Sequence, residues 1–136
     1  NVDETKQFVN ILNEIDSPVL KLRKGAPYRC LFIEETCECS AGKDKILISP
    51  DGSVHPCEAF KYSSSYSNIN AHSLANIWSE DSILNQIRLL DISQISECSN
   101  CGNLDVCRGG CPGQRYLAYK TFERGPDPIC LIANVG

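Results

Sequence analysis

Glu97-Cys98-Ser99-Asn100-Cys101-Gly102-Asn103-Leu104-Asp105-Val106-Cys107-Arg108-Gly109-Gly110-Cys111-Pro112 is the stretch that decides how this chain is read. Its four cysteines are separated by two, five and three residues. From residue 92 to residue 111 the large apolar side chains are Ile92, Ile95, Leu104 and Val106. Ordering each residue costs roughly 1–2 kcal/mol of backbone entropy, and a fully buried aliphatic side chain returns about 1.5–3 kcal/mol. Packing alone does not hold such a segment, so its thiols are expected to be tied by a metal. Cys-x-x-Cys is the spacing with which a chain closes on one metal centre. Removal of that metal is expected to unfold 97–130 while a hairpin at 45–57 and a helix at 83–90 persist.

The ending Cys107-x3-Cys111-Pro112 resembles the bacterial ferredoxin run, whose last cysteine serves a different cluster from its neighbours. Iron–sulfur is therefore the expected metal, with zinc thiolate as the alternative because zinc accepts the same ligands. Nine cysteines can supply two four-thiolate centres with one to spare. A disulfide framework fits less well. The count is odd, no Asn-x-Ser/Thr sequon occurs, and the polar start is unlike a secretion signal. The chain contains no Met, so it is expected to be part of a longer polypeptide. A net charge of −4 leaves no basic footprint for nucleic acid, and no apolar run reaches transmembrane length. The expected setting is the reducing cytoplasm, with neither nucleic acid nor membrane as partner.

Phe8, Ile11, Leu12 and Ile15 recur at helical spacing, which predicts an amphipathic helix over 1–16, with Asn1 and Glu4 as its capping pair. Lys45 to Ser49 reads as a strand, and Asp51-Gly52 as a two-residue type I′ turn returning through Val54 to Cys57. That loop pairs Ile46 with Cys57 and brings Cys39 and Cys57 to the open end of one hairpin. Ser73 is the expected cap of a helix carrying Leu74, Ile77 and Trp78 on one face, with Trp78 as a core anchor. Ile83, Leu84, Ile87 and Leu90 form a second stripe. Pro112 suits the first turn of a helix that Gln114 to Lys120 continue, with Pro126-Asp127-Pro128 as a stop beyond it. His55, two residues before Cys57, is a minor ligand candidate, and His72 reads as a surface residue.

The pattern resembles the SPASM domain, the C-terminal auxiliary-cluster extension of radical S-adenosylmethionine enzymes. Cys39, Gly52 and Cys57 match its first block, with twelve residues between the first two. Cys98, Cys101, Cys107 and Cys111 match the second block, and Cys130 is the final cysteine. Cys39-Ser40-Ala41-Gly42, Pro50-Asp51-Gly52, Pro56-Cys57 and Asp127-Pro128-Ile129-Cys130 match its local texture. The resemblance implies two 4Fe-4S clusters. One would be held by Cys39, Cys57, Cys111 and either Cys30 or Cys37; Cys30 is favoured, because Cys37 is only two residues from Cys39. The other would be held by Cys98, Cys101, Cys107 and Cys130. Gly109 and Gly110 are expected to let the backbone, with its N–H groups, approach cluster sulfur. Arg108 and Arg115 either offset cluster charge or are solvated.

The implied fold is a small α+β domain organised by clusters, with a β-hairpin, short helices and long cysteine-rich loops. Residues 30–136 would form it, and 1–29 would be a helix and connector to a radical SAM core. The Cys-x3-Cys-x2-Cys run that binds the catalytic cluster of that class is absent, since Gln114 stands where its third cysteine would be. No residue here is thus expected to be catalytic, and S-adenosylmethionine would bind only in the core domain. The resemblance implies electron transfer or substrate binding during modification of a peptide or protein. A zinc-bound interaction module and a free-standing electron carrier are the alternatives.

Overall fold

The computed structural model describes residues 2–15, 18–19, 31, 39–61 and 67–133. Cys30 and Cys37 lie outside them, as does Asn1 with its expected cap. Val2–Glu14 forms α1. Its stripe stays largely open, with Phe8, Ile11 and Ile15 exposing 38, 51 and 40% of their surface.

The hairpin consists of β1 (Leu47–Ile48) and β2 (Val54–His55), antiparallel, with Leu47 opposite His55 and Ile48 opposite Val54. This is one residue away from the expected register, so Ile46 does not face Cys57. A type I′ loop needs left-handed backbone at both Asp51 and Gly52. Only Gly52 has it, at φ +86. Pro50, with its φ held by the ring, opens a different turn. Gly52 N–H donates to Ser49 O, and Ser49 N–H to Ser53 O, both at 2.9 Å. The loop therefore has three residues and ends in a glycine bulge. Asp51 locks it by accepting from Ser53 N–H and Ser53 Oγ–H, both at 3.0 Å. These bonds hold the Asp51 carboxyl below the usual carboxylate range. The expected five-residue strand shrinks to two, since Ala41 bridges Lys45 in a tight loop before it.

Leu74–Glu80 forms α2, capped as expected by Ser73, whose Oγ accepts from Asn76 N–H at 3.2 Å. Asp81 ends α2 and starts α3 (Ser82–Arg88), accepting from Ile83 N–H at 2.9 Å and Leu84 N–H at 3.0 Å. A single aspartate thus sets the bend between two seven-residue helices. Ile77, Leu84 and Val54 are buried together, with Ile46 against them. Trp78 is not the core anchor that its helical face predicted. It stays 37% exposed, with the Arg88 guanidinium 4.4 Å above its ring. The bend at Asp81 directs α3 back across α2, so Ile77 turns inward and Trp78 is covered by a cation instead of by apolar neighbours.

A 3-10 turn at Glu58–Phe60 follows the hairpin. Phe60, Ile87 and Phe122 form a second buried group, with Cys57, Ala59, Ile83, Leu90 and Tyr116 packed against it. Tyr116 and Phe122 stack at 4.8 Å, and Phe60 lies 5.5 and 5.9 Å from their rings. After a 3-10 turn at Ile92–Gln94 come α4 (Ser96–Ser99), α5 (Leu104–Cys107) and α6 (Pro112–Tyr119). Pro112 stands at the start of α6 as expected. The helix ends at Lys120 as expected, where the backbone turns left-handed at φ +57 and sends Phe122 back into the aromatic group. No described helix is long and apolar enough to cross a membrane. Among the described residues, six helices and one two-stranded hairpin make the fold α+β.

Candidate metal centres

The segment 92–111 is as poor in packing as its composition demands. Ile95 is its one large apolar side chain that is fully buried. α4 and α5 have four residues each, far below the length at which a helix sustains itself. These two turns and the loop around 126–133 enclose a cavity of about 270 Å³ with a mainly apolar wall. Cys98, Cys101, Cys107 and Cys130 all line it. Burial pushes the Cys98 thiol up, and the neighbouring Cys130 and Cys101 raise it further, against the pull of Arg115. Burial likewise raises Cys107; the backbone N–H groups of Gly110 and Gly109 oppose this, while Cys130 adds to it. The four thiols therefore share one electrostatic environment.

The other three described cysteines form a second group. Cys57 and Cys111 are both raised by burial, and in both the charge of Cys39 acts in the same direction. Cys57 starts the 3-10 turn and Cys111 starts α6. Neither sulfur makes a formed cap hydrogen bond. The N–H groups of Ala59 at Cys57, and of Gln114 and Gly113 at Cys111, nonetheless favour the thiolates. The turn and the helix are pressed together at Gly113, where a Cβ would stand 2.7 Å from that of Ala59. Cys39 opens onto a cavity of about 430 Å³ lined also by Lys43, Arg108, Gly110 and Pro112. The fourth-ligand candidates, Cys30 and Cys37, fall outside the described residues. His55 is buried, with Nε2 3.0 Å from Ser49 Oγ, and His72 is exposed as expected.

Fit to a metal can be tested on the described thiols. All seven are free. A single zinc draws four ligands to about 2.3 Å from one point. Among the described residues no three His, Cys, Asp or Glu side chains converge in that way. Four thiols spread around a cavity instead suit a group of several atoms that binds at its corners, as an iron–sulfur cluster does. Metal-free, the raised thiols carry their protons at neutral pH, so loading releases protons.

The two glycines, whose N–H groups act on Cys107, also lie against protein side chains. A Cβ on Gly110 would meet the carboxylate side chain of Asp127, lying 2.7 Å from its Cβ, and a Cβ on Gly109 would lie 2.7 Å from Ile92 Cγ2 and 3.0 Å from Arg115 Nη2. They make room for protein side chains on the far side of the turn. Asp127, unsuspected from sequence, is 2% exposed and accepts from Cys111 N–H at 2.7 Å and Ile129 N–H at 3.0 Å. Burial pushes its carboxyl up, opposed by those N–H groups and by Arg115. The Asp-Pro-Ile-Cys ending was visible in the sequence, but nothing local said that Asp127 would reach back to Cys111. Gly110→Ala is expected to destabilise the fold by about 2–4 kcal/mol, adding left-handed strain at φ +74 to a broken buried hydrogen bond. Denaturant unfolding checks this, and a change below about 0.5 kcal/mol, the range of neutral surface changes, refutes it.

Comparison with known proteins bears on the same cysteines. Residues 37–102 match the family model SPASM, an iron-sulfur cluster-binding domain. The chain carries a SPASM domain. The matched stretch of this SPASM domain takes in Cys37, Cys39, Cys57, Cys98 and Cys101; Cys30, Cys107, Cys111 and Cys130 lie outside it. The chain is similar to the mycofactocin maturase MftC of Mycobacterium tuberculosis, 31% identical over 103 residues, covering 68% of this chain and 24% of that protein. The enzyme of the same name from Mycolicibacterium smegmatis is 27% identical over 95 residues, again covering 68% and 24%. Among solved structures, Streptococcus suis SuiB bound to its precursor peptide SuiA superposes with a TM-score of 0.54 at 26% identity, covering 90% of this chain and 26% of that one. SuiB has also been solved bound to S-adenosylmethionine, with a TM-score of 0.53. The chain spans about a quarter of the length of these relatives.

Proposed function

We propose that this SPASM domain holds two 4Fe-4S clusters and serves a radical S-adenosylmethionine enzyme that modifies a peptide. The grouping of Cys98, Cys101, Cys107 and Cys130 around one cavity carries the reading. The second set is Cys39, Cys57 and Cys111, completed by Cys30 or Cys37. Residues 1–29 would be the helix and connector to the radical SAM core, and residues 30–136 the auxiliary domain. The exposed stripe of α1 supports a partner on that side. MftC is named as a maturase, and SuiB has been solved with a precursor peptide; both support a peptide as the substrate class. S-adenosylmethionine would bind in the core, and no residue of this chain would be catalytic. The odd cysteine count and the metal-thiolate spacing support a cytoplasmic setting.

When bound, the clusters supply one-electron transfer at potentials set by their surroundings. The chain's own residues prepare those surroundings. The mainly apolar wall of the first cavity lowers the polarity around its thiols. The N–H groups of Gly109 and Gly110 at Cys107, and of Gly113 and Gln114 at Cys111, stabilise negative charge on sulfur. Asp127 fixes the backbone at Cys111, where the chain leaves one thiol group for the other.

Anaerobic reconstitution is the test. The protein is expected to take up about eight iron with matching sulfide per chain, since each four-thiolate site holds a four-iron cluster. A colourless protein that binds zinc and takes up no iron would overturn the proposal. About four iron with full occupancy of the Cys98 group would leave one cluster and remove the second.

A further inference from the structure

Among the described residues Arg115 is the largest fully buried side chain, with 0% of its surface exposed. The sequence left it open between a cluster-facing and a solvated residue, and the exposed Arg108 shows the other outcome in the same segment. Arg115 projects from α6 one turn after Cys111. Its Nε–H donates to Gly125 O at 2.8 Å and its Nη2–H to Gly109 O. Gly109 lies between Cys107 and Cys111, and Gly125 opens the loop to Cys130. The guanidinium therefore ties together two of the segments that surround the thiol cavity, and Gly109 itself lines that cavity.

Among the described residues no carboxylate is in ion-pair contact with it, although Asp127 and Glu97 feel its charge. Nη1 is buried with no hydrogen-bond partner. Asp127, which feels the charge, has its two carboxylate oxygens taken by Cys111 N–H and Ile129 N–H. A guanidinium stays ionised in any protein environment, and burying it without an anion is costly. The carbonyl that Nη2 holds belongs to Gly109, on the wall of the cavity lined by Cys98, Cys101, Cys107 and Cys130.

We propose that Arg115 is the buried counter-charge of the iron–sulfur centre at Cys98, Cys101, Cys107 and Cys130, a positioning residue that raises the reduction potential of that centre above what its thiolates alone would give. The proposal rests on the two-cluster reading. Reduction adds one electron to a group that is already anionic, so a fixed cation behind its wall favours the reduced form. Lys keeps the charge but loses the planar fork, and Gln loses the charge.

The experiment is a potentiometric titration, followed by electron paramagnetic resonance, of the iron-loaded full-length protein, wild type, R115K and R115Q. The signal of this centre is identified by its loss in Cys98→Ser. Arg115→Gln is expected to weaken reduction of this centre about tenfold, a shift of roughly 59 mV to more negative potential for one electron, with the other centre moved less. Arg115→Lys is expected to stay near the wild-type potential. An unmoved potential in R115Q, or R115K shifted as far as R115Q, overturns the proposal while leaving the cluster reading intact. If R115Q fails to load this centre, R115K decides. Loading at the wild-type potential supports a charge role, and failure to load means that the fork alone mattered and overturns it. A wild-type protein with no signal assignable to Cys98 sinks the cluster reading, and the proposal with it.

Discussion

Cys111→Ala is expected to abolish the centre of Cys39 and Cys57 and to spare that of Cys98, Cys101 and Cys107, while Cys130→Ala does the reverse. The expectation runs against chain order, because Cys111 is only four positions from Cys107 and Cys130 is nineteen further on. The backbone between Cys107 and Cys111 reverses through Arg108, Gly109 and Gly110, all left-handed at φ +50, +73 and +74. Asp127 then seizes Cys111 N–H, and α6 starts at once. Cys111 ends up under the influence of Cys39, and Cys107 under that of Cys130. Each substitution should remove about half of the iron, one of two four-iron clusters. Iron analysis with Mössbauer and paramagnetic resonance spectra of both variants provides the check. Loss of one and the same signal in the two proteins would refute the interleaved assignment.

Stripping the metal under reducing conditions is expected to release 97–111 from hydrogen-exchange protection. α4 and α5 are single turns, and isolated helices shorter than about 12–15 residues are marginal in water. Burial of Ile95 contributes about 1.5–3 kcal/mol, an amount consumed by ordering two residues. Structural zinc in small peptides supplies about 10–16 kcal/mol of folding free energy, and an iron–sulfur cluster acts in the same sense. The rest of the domain has its own packing. Val54, Ile77 and Leu84 form one buried group, and Phe60, Ile87 and Phe122 another. Tyr116 ties α6 to the second, so the sensitive stretch ends near Cys111 and does not run through to Cys130, as composition had indicated. Amides of 97–111 should exchange at least a hundredfold faster in the metal-free protein, which corresponds to about 2.7 kcal/mol, while Leu84 and Ile87 remain protected. Equal protection of 97–111 in both forms would show that its thiols are not structural ligands.

Short-range features were readable from the residues themselves. Ser73 caps α2, Pro112 opens α6, and Leu84 and Ile87 face inward, because each depends on neighbours within one or two helical turns. The hairpin register was misread for a local reason as well. Asp51-Gly52 matched a familiar turn, but Pro50 before it favoured a type I turn closed by a glycine bulge. Trp78 failed because its burial depends on where α3 returns, and Asp81 sets that angle. The same limit hid Asp127, whose partner lies sixteen residues away.

By itself, the sequence determined that thiolate chemistry organises this chain. Seven cysteines at fixed spacings, four of them in a segment with too few apolar residues to fold by packing, admit few other readings. Only the tertiary structure decided that Asp127 reaches back to Cys111, that Gly109 and Gly110 lie against protein side chains, and that Arg115 and not Arg108 is buried. The physical reason is one of range. Spacing records how far a ligand can reach along the chain, whereas burial and the company of a charge depend on segments that meet only after the backbone has reversed.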